Sequence, residues 1–280
     1  VVIIILLLIQ VMIPVILIYG QNYVEVDFIN VGQGDSILII TNKPRKVILI
    51  DGGKSYKELN YGEKEIIPFL RRKGIDTIDM VVSTHSDVDH KGGLDAVIKA
   101  MNCLNIIIPP EKLDIDNEYQ EWREEYSNKI KEIEKNMIIR IGQVEIQVIA
   151  PDGAAEIMDN NETSIVLNLK YGESEILLTG DCSLSVLEEL VNNNKKIDII
   201  KAPHHGSIKS YKEGIYSNLG ARCVVFSVGK NSYGHPGKKI IEDLESEQIK
   251  YYRTDQQKDI KIKLYKNKFI IEGQEYENDV

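Results

Sequence analysis

Apolar residues recur along this chain with two spacings, and the spacings assign its elements. Residues 23–29 alternate apolar and polar, as a half-buried strand does. Residues 36–40 and 46–50 predict two further strands, joined by a turn at Asn42-Lys43-Pro44. Hairpins are expected over 137–141 with 144–149, around Gly142, and over 164–170 with 174–178, around Gly172. A last hairpin joins 259–264 to 268–272. Short apolar runs at 80–83, 105–108, 197–201, 223–228 and 250–252 read as buried strands. Helical spacing is expected over 63–73, 94–101, 183–193, 211–219 and 238–247, with a long charged helix over 117–135. The order is strand-rich and mixed, which suggests two packed sheets with helices outside.

The pattern breaks only at the start. Residues 1–19 are apolar except Gln10 and Pro14. As a helix they reach ~28 Å, close to the hydrocarbon thickness of a bilayer. The expectation for 1–20 is therefore a transmembrane anchor or signal segment. No positive stretch precedes it and Ile18-Tyr19-Gly20 is a poor cleavage site, which favours an uncleaved anchor. The chain opens on Val, and so reads as an alternative start or a fragment of a longer membrane protein. Residues 21–280 are then one soluble domain outside the cytoplasm, anchored or secreted.

Composition adds a core and a field. The chain is 43% hydrophobic with Ile and Val dominant, which favours sheet. Its net charge is −9, but residues 195–240 hold nine basic side chains against two acidic ones. That window is +7, so the remainder carries −16. A local positive field favours an anionic substrate. The three cysteines are too few and too widely spaced for a disulfide framework or a zinc ribbon. Cys103 and Cys223 read as core, whereas Cys182, directly after Asp181, is within reach of a metal.

All five histidines lie in three short motifs: Thr84-His85-Ser86-Asp87-Val88-Asp89-His90, Pro203-His204-His205-Gly206-Ser207 and Gly234-His235-Pro236-Gly237. Histidine is the commonest metal ligand and the usual acid or base near neutral pH. The first motif packs His85, Asp87, Asp89 and His90 into six residues at a strand end, with Gly92 and Gly93 expected to turn the backbone sharply into the next helix. Such a set can hold two ions that activate a water and stabilise both oxygens of a displacement. Asp181, presented from a buried strand through Gly180, is costly to bury without a cation. Neighbours on extended backbone point oppositely, so one of His204 and His205 is expected to face the metals and the other the substrate. Lys201, on the preceding strand, suits a substrate oxyanion; His235 suits a general acid or a further ligand. Asp51 is expected to hydrogen-bond the metal loops from behind. The glycine-rich turn 32–36 lacks the Gly-Lys-Ser/Thr ending of a phosphate loop.

Taken together, Val31-Gly32-Gln33-Gly34-Asp35-Ser36, Leu49-Ile50-Asp51-Gly52-Gly53, residues 84–93 and 161–167, Leu178-Thr179-Gly180-Asp181, residues 203–207, and residues 233–236 with Tyr252-Arg253-Thr254-Asp255 resemble the metallo-β-lactamase superfamily. Within it, the pattern is most similar to the hydrolase-like domain of ComEC-type competence proteins. The resemblance implies an α/β (α+β) fold, a four-layer αββα sandwich with the metal site along one sheet edge. The superfamily's His-x-His-x-Asp-His is here His85-x-Asp87-x-Asp89-His90. The extra carboxylate makes the site harder and shifts its preference from zinc toward manganese. Asn161 and Ser164 stand where the superfamily has a His ahead of the bridging Asp, so one metal position is expected to be weakly held. Analogy with Pro-Gly-His-Gly in relatives makes His205 the ligand and His204 the substrate neighbour. Full-length members also carry a channel domain and a small β-barrel domain that these 280 residues do not encode, so the expected partners are the membrane and a separate DNA-uptake channel protein.

The resulting expectation is a metal-dependent hydrolase holding one or two Mn or Zn ions on His85, Asp87, Asp89, His90, Asp181 and His205. Asp181 bridges the ions; Asp89 serves the chemistry as well; His235 or His204 assists the leaving oxygen; Lys201 steadies the phosphoryl charge. The substrate expected is DNA, in competence and uptake, with Tyr211, Tyr216 and Tyr233 as stacking candidates. The alternatives are a metallo-esterase or phosphodiesterase for a small molecule or envelope polymer, and a non-catalytic metal- or DNA-binding module.

Overall fold

The computed structural model describes residues 22–114, 117–153 and 159–277. The segment expected to anchor the chain, 1–20, lies outside the described residues, and no helix among them is long and apolar enough to cross a membrane.

Two sheets carry the fold. The nine-stranded sheet runs Ile130–Glu132, Ile106–Ile108, Met80–Val82, Arg45–Ile50, Ile37–Asn42, Val24–Phe28, Ile260–Leu264, Lys268–Ile271, Gln274–Glu277. The seven-stranded sheet runs Ile138–Ile141, Val144–Ala150, Val166–Tyr171, Ser174–Leu178, Ile199–Lys201, Cys223–Phe226, Lys250–Arg253. Each changes from antiparallel to parallel pairing part-way: after Arg45–Ile50 in the first and after Ser174–Leu178 in the second. Parallel neighbours need crossovers, and the crossovers supply the helices.

Period-two alternation divides the strand residues between layers. Val26, Phe28, Ile37, Ile39, Ile48 and Ile50 face the second sheet and meet Ile146, Val148, Leu167, Leu169, Ile176 and Leu178. On the outer face of the first sheet, Leu38, Leu49 and Val81 pack with Leu70 of Ile67–Arg72 and Val97 of Leu94–Ala100. Leu177, Ile200 and Val224 on the other outer face pack with Leu187 of Leu184–Asn192 and Leu244 of Lys238–Ser246. This is the expected αββα order, held by three apolar layers in which each fully buried Ile or Leu contributes about 1.5–3 kcal/mol.

Three expected elements differ. The long helix over 117–135 is instead a short helix, Gln120–Glu125, and a strand, Ile130–Glu132. Trp122 pins the helix by donating to Asp95 at 2.6 Å. The chain then pairs along Ile106–Ile108, whose edge would otherwise leave its backbone groups unpaired. The helix expected over 211–219 shrinks to Ile215–Asn218, because Tyr211 and the Gly214 N–H are both tied to Asp243. The last hairpin gains a third strand, Gln274–Glu277.

Candidate metal centre

The site sits where strands of both sheets end. Met80–Val82 leads into the loop 84–93, Ser174–Leu178 into Gly180 and Asp181, and Ile199–Lys201 into residues 203–207. Glycines let these loops touch. A Cβ on Gly92 would lie 2.5 Å from the Ser55 nitrogen, and one on Gly52 equally close to that of Leu94. Gly92 and Gly93 form the expected turn into the next helix, closed by the Leu94 N–H donating to the Lys91 carbonyl at 2.9 Å, and they also allow this close backbone approach. A side chain on Gly206 would strike Pro236 and Phe226, and Gly237 donates to the Gly206 carbonyl at 2.9 Å, which clamps the second His motif to the third.

His85, His90 and His205 are fully buried, and the Nε2 of each lacks a hydrogen-bond partner. Their Nδ1 atoms are all engaged. His85 Nδ1 lies 3.0 Å from Thr84 Oγ1, His90 Nδ1 lies 2.8 Å from Asp51, and His205 Nδ1 lies 2.9 Å from the Ser227 carbonyl. Partners on Nδ1 orient an imidazole and leave Nε2 free to bind a metal. The free nitrogens meet carboxylates. His90 Nε2 is 3.2 Å from Asp181 Oδ1; His205 Nε2 is 3.5 Å from Asp181 Oδ2 and 3.4 Å from Asp89. Two triads result on these nitrogens, His85–His90–Asp181 and Asp89–His90–His205, each with ligand atoms within 4.8 Å of one another; a third such group, Asp35–Asp51–His90, lies behind them. Asp181 offers one oxygen to each neighbouring ring, the arrangement expected of a bridging ligand.

The electrostatics point the same way. Burial alone opposes ionising Asp181, yet His205, His90 and Lys201 hold its carboxyl well below the ordinary range. Burial likewise opposes charging His205, but Asp181 and Asp35 push it up to about 9. His85 goes the other way, pushed down to about 3 by burial and by the neighbouring His90. Such a pocket draws positive charge inward, and protons occupy places that a divalent ion would take on binding. Three buried nitrogens without partners and two nearby carboxylates fit one or two such ions.

The other expected residues divide. Asp87 stays at the rim, 39% exposed, with its carboxylate 3.8 Å from His85 Nε2. Asp51 does as expected: it accepts from the Thr84 N–H at 2.8 Å and from Thr84 Oγ1 at 2.7 Å, and it holds His90. His204 and His205 do not lie on extended backbone. Both are left-handed, with φ +48 and +55, and their rings still part company: His205 is buried, while His204 is 32% exposed with Nε2 3.8 Å from Asp181. Left-handed conformations cost non-glycine residues about 1–3 kcal/mol each. His235 packs beside His204, ring centroids 5.7 Å apart.

Lys201 is a correction. Its side chain is fully buried and does not face the cleft; Nζ pairs with Asp35, donates to the Gly180 carbonyl at 2.8 Å, and lies 3.5 Å from Asp181. Cys182 turns away into the apolar layer of Leu187 and Tyr216, and burial pushes its thiol up to about 12. Tyr211 and Tyr216 are buried too, which leaves Tyr233, 74% exposed, as the remaining stacking candidate. Ser164 stays near the centre: its Oγ accepts from the Asp181 N–H and lies 3.4 Å from His85 Nδ1. Asp35 and Ser227 were not expected in the site. Asp35 had a signal, a carboxylate between Gly34 and Ser36 at a strand entrance; Ser227 acts through its carbonyl and has none.

Comparison with known proteins agrees with this geometry. The model of the metallo-beta-lactamase superfamily matches residues 29–215. ComE operon protein 3 of Bacillus subtilis (strain 168) is 32% identical over 260 residues, covering 87% of this chain and 33% of that protein. Competence protein ComA of Neisseria gonorrhoeae is 28% identical over 240 residues, covering 84% and 31%. The chain thus spans about a third of the curated relatives it matches. The solved structure of Tm1679, a metal-dependent hydrolase of the β-lactamase superfamily, is similar with a TM-score of 0.54 at 18% identity, covering 92% of this chain and all of that one, a likeness of fold alone. The motifs, the αββα layers and the family match converge: this chain belongs to the metallo-β-lactamase superfamily and is similar to competence proteins.

Proposed function

We propose that this chain is a metal-dependent phosphodiesterase acting on DNA. The observation that carries the hydrolytic part is the set of three buried imidazoles whose unpartnered Nε2 atoms converge on Asp181 and Asp89. His85, His90, His205, Asp181 and Asp89 would hold the ions, with Asp87 at the open side. Divalent ions there would supply Lewis acidity and a water activated near neutral pH. The chain's own groups do the rest. Thr84, Asp51 and Ser227 keep the rings oriented. His204, 32% exposed with Nε2 3.8 Å from Asp181, would hand a proton to the leaving oxygen. Burial, then His204 and His205, lower the His235 ring's affinity for a proton, which suits it to relaying rather than storing one.

The DNA part rests on exposed Tyr233 beside His235 and on the competence relatives; six of the nine basic residues of 195–240 are paired with carboxylates and add little to it. The burial of Tyr211 and Tyr216 favours the second reading, a phosphodiesterase for a small or envelope substrate, since only one stacking residue of the three remains. We place the catalytic domain outside the cytoplasm, beside a membrane and a separate DNA-uptake channel protein.

The test incubates residues 21–280 with Mn²⁺ or Zn²⁺ and single-stranded DNA, duplex DNA or a generic phosphodiester, with Asp89→Ala alongside. The expected result is metal-dependent DNA cleavage that the variant loses. Cleavage of the small ester alone moves the assignment to the second reading. Metal binding without hydrolysis of any substrate would leave a binding module.

A further inference from the structure

Beneath the metal centre lies a charge pair that the hydrolytic scheme does not use. Asp35 comes from the turn between Val24–Phe28 and Ile37–Asn42 of one sheet, and Lys201 ends Ile199–Lys201 of the other. Both are fully buried and directly paired. A buried ion pair is weak evidence for stability, because desolvating two charges offsets most of their attraction. This one also leaves Asp35 Oδ1 without a hydrogen-bond partner. An apolar pair of similar volume would fill the place at no such cost, so stability alone does not account for the pair.

Its contacts do. Asp35 Oδ1 lies 3.4 Å from His205 Nδ1, Oδ2 lies 3.8 Å from His90 Nδ1, and its backbone N–H donates to the Asp89 carbonyl at 3.2 Å. Lys201 Nζ holds the Gly180 carbonyl and stands 3.5 Å from Asp181 Oδ1. The pair thus reaches four of the five residues assigned to the ions. It also carries no net charge, so it can order the ligands without altering the field they offer a cation.

We infer that Asp35 and Lys201 act together as positioning residues for the metal centre, holding Asp181 and His205 in ligating orientation from the inner side. The inference rests on the metal-centre reading above. Residues behind metal ligands are worth about 10–100-fold in metal affinity when removed.

The test uses the full 280-residue chain, stripped of metal and titrated with Mn²⁺, with the free ion followed by its EPR signal. The informative variant is the double substitution Asp35→Asn/Lys201→Met, which deletes both charges and keeps the site's net charge unchanged. Asp35→Asn alone is the harsher companion, leaving Lys201 buried without its carboxylate and adding a net positive charge beside Asp181. Far-UV circular dichroism checks the fold of each. The expected result is about two ions bound by the wild type and affinity about 10–100-fold weaker in the folded double variant, with a loss at least as large in the single one. Wild-type affinity in a folded double variant would overturn the inference and leave the pair a link between sheets. Failure of both variants to fold would overturn it too, by making the pair a requirement of the fold. A wild type that binds no Mn²⁺ would instead remove the metal-centre reading itself.

Discussion

The two ends of the sandwich are built from the same strands and share little else. At one end the strands close in hairpins: 42–45, Gly142, Gly172 and the turn at Lys266 meet there, and the backbone carbonyls of Lys43 and Lys266 lie against Gly142 and Gly172. Left-handed backbone falls on glycines at these turns, with φ +59 at Gly142 and +62 at Gly172. At the other end it falls also on Asp51, His204 and His205. Charge is divided in the same way. Lys43 is exposed at the hairpin end, whereas Asp35, Asp51, Asp181, Lys201 and three imidazoles are buried at the other. The difference teaches where this chain accepts local cost. Buried imidazoles and their carboxylates gather where side chains must converge, whereas left-handed non-glycine backbone also occurs away from them, at Asn194 and Gln248.

The largest expected effect comes from removing the shared carboxylate. Asp181→Ala should lower turnover of a generic phosphodiester by more than about 100-fold, beyond what loss of an outer partner brings, while circular dichroism stays native. Retained turnover would mean that the two triads do not work as one centre. Next, Lys201→Met leaves Asp35 buried and unpaired and should cost about 3–5 kcal/mol in urea unfolding. Lys43→Met at the hairpin end should stay within about 0.5 kcal/mol. Equal effects at the two ends would erase the contrast in buried charge. Smaller than the Lys201 effect is that of Gly172→Ala, which forces a side chain into left-handed backbone against the Lys266 carbonyl. It should cost about 1–2 kcal/mol and leave Mn²⁺ affinity as in the wild type. A matching loss of metal binding would show that the ends are coupled through the strands.

Much of the centre was legible before folding was considered, because its residues are clustered in sequence. Residues 84–90 carry their ligands within one loop, and Asp51 and Asp181 each follow an apolar strand that must deliver them to its end. Lys201 was misread for the opposite reason. A lysine at a strand end beside two histidines looks like a substrate contact, and its burial depends on Asp35, 166 positions earlier. Residues 117–135 failed differently: their composition favours helix, but the unpaired edge of Ile106–Ile108 takes up 130–132. Local propensity is a weak prior when a sheet edge offers hydrogen bonds.

The sequence by itself determined the strand alternation, the αββα layering that follows from it, and the identity of the metal-binding motifs, since periodicity and residue chemistry are properties of short segments. Only the tertiary structure decided which histidine of 204 and 205 is buried, that Asp181 meets both His90 and His205, and that Lys201 is buried beside Asp35 and Asp181. Those are questions of which groups from distant segments share a desolvated space, and charges in such a space are ordered by whatever neighbours the fold brings to them.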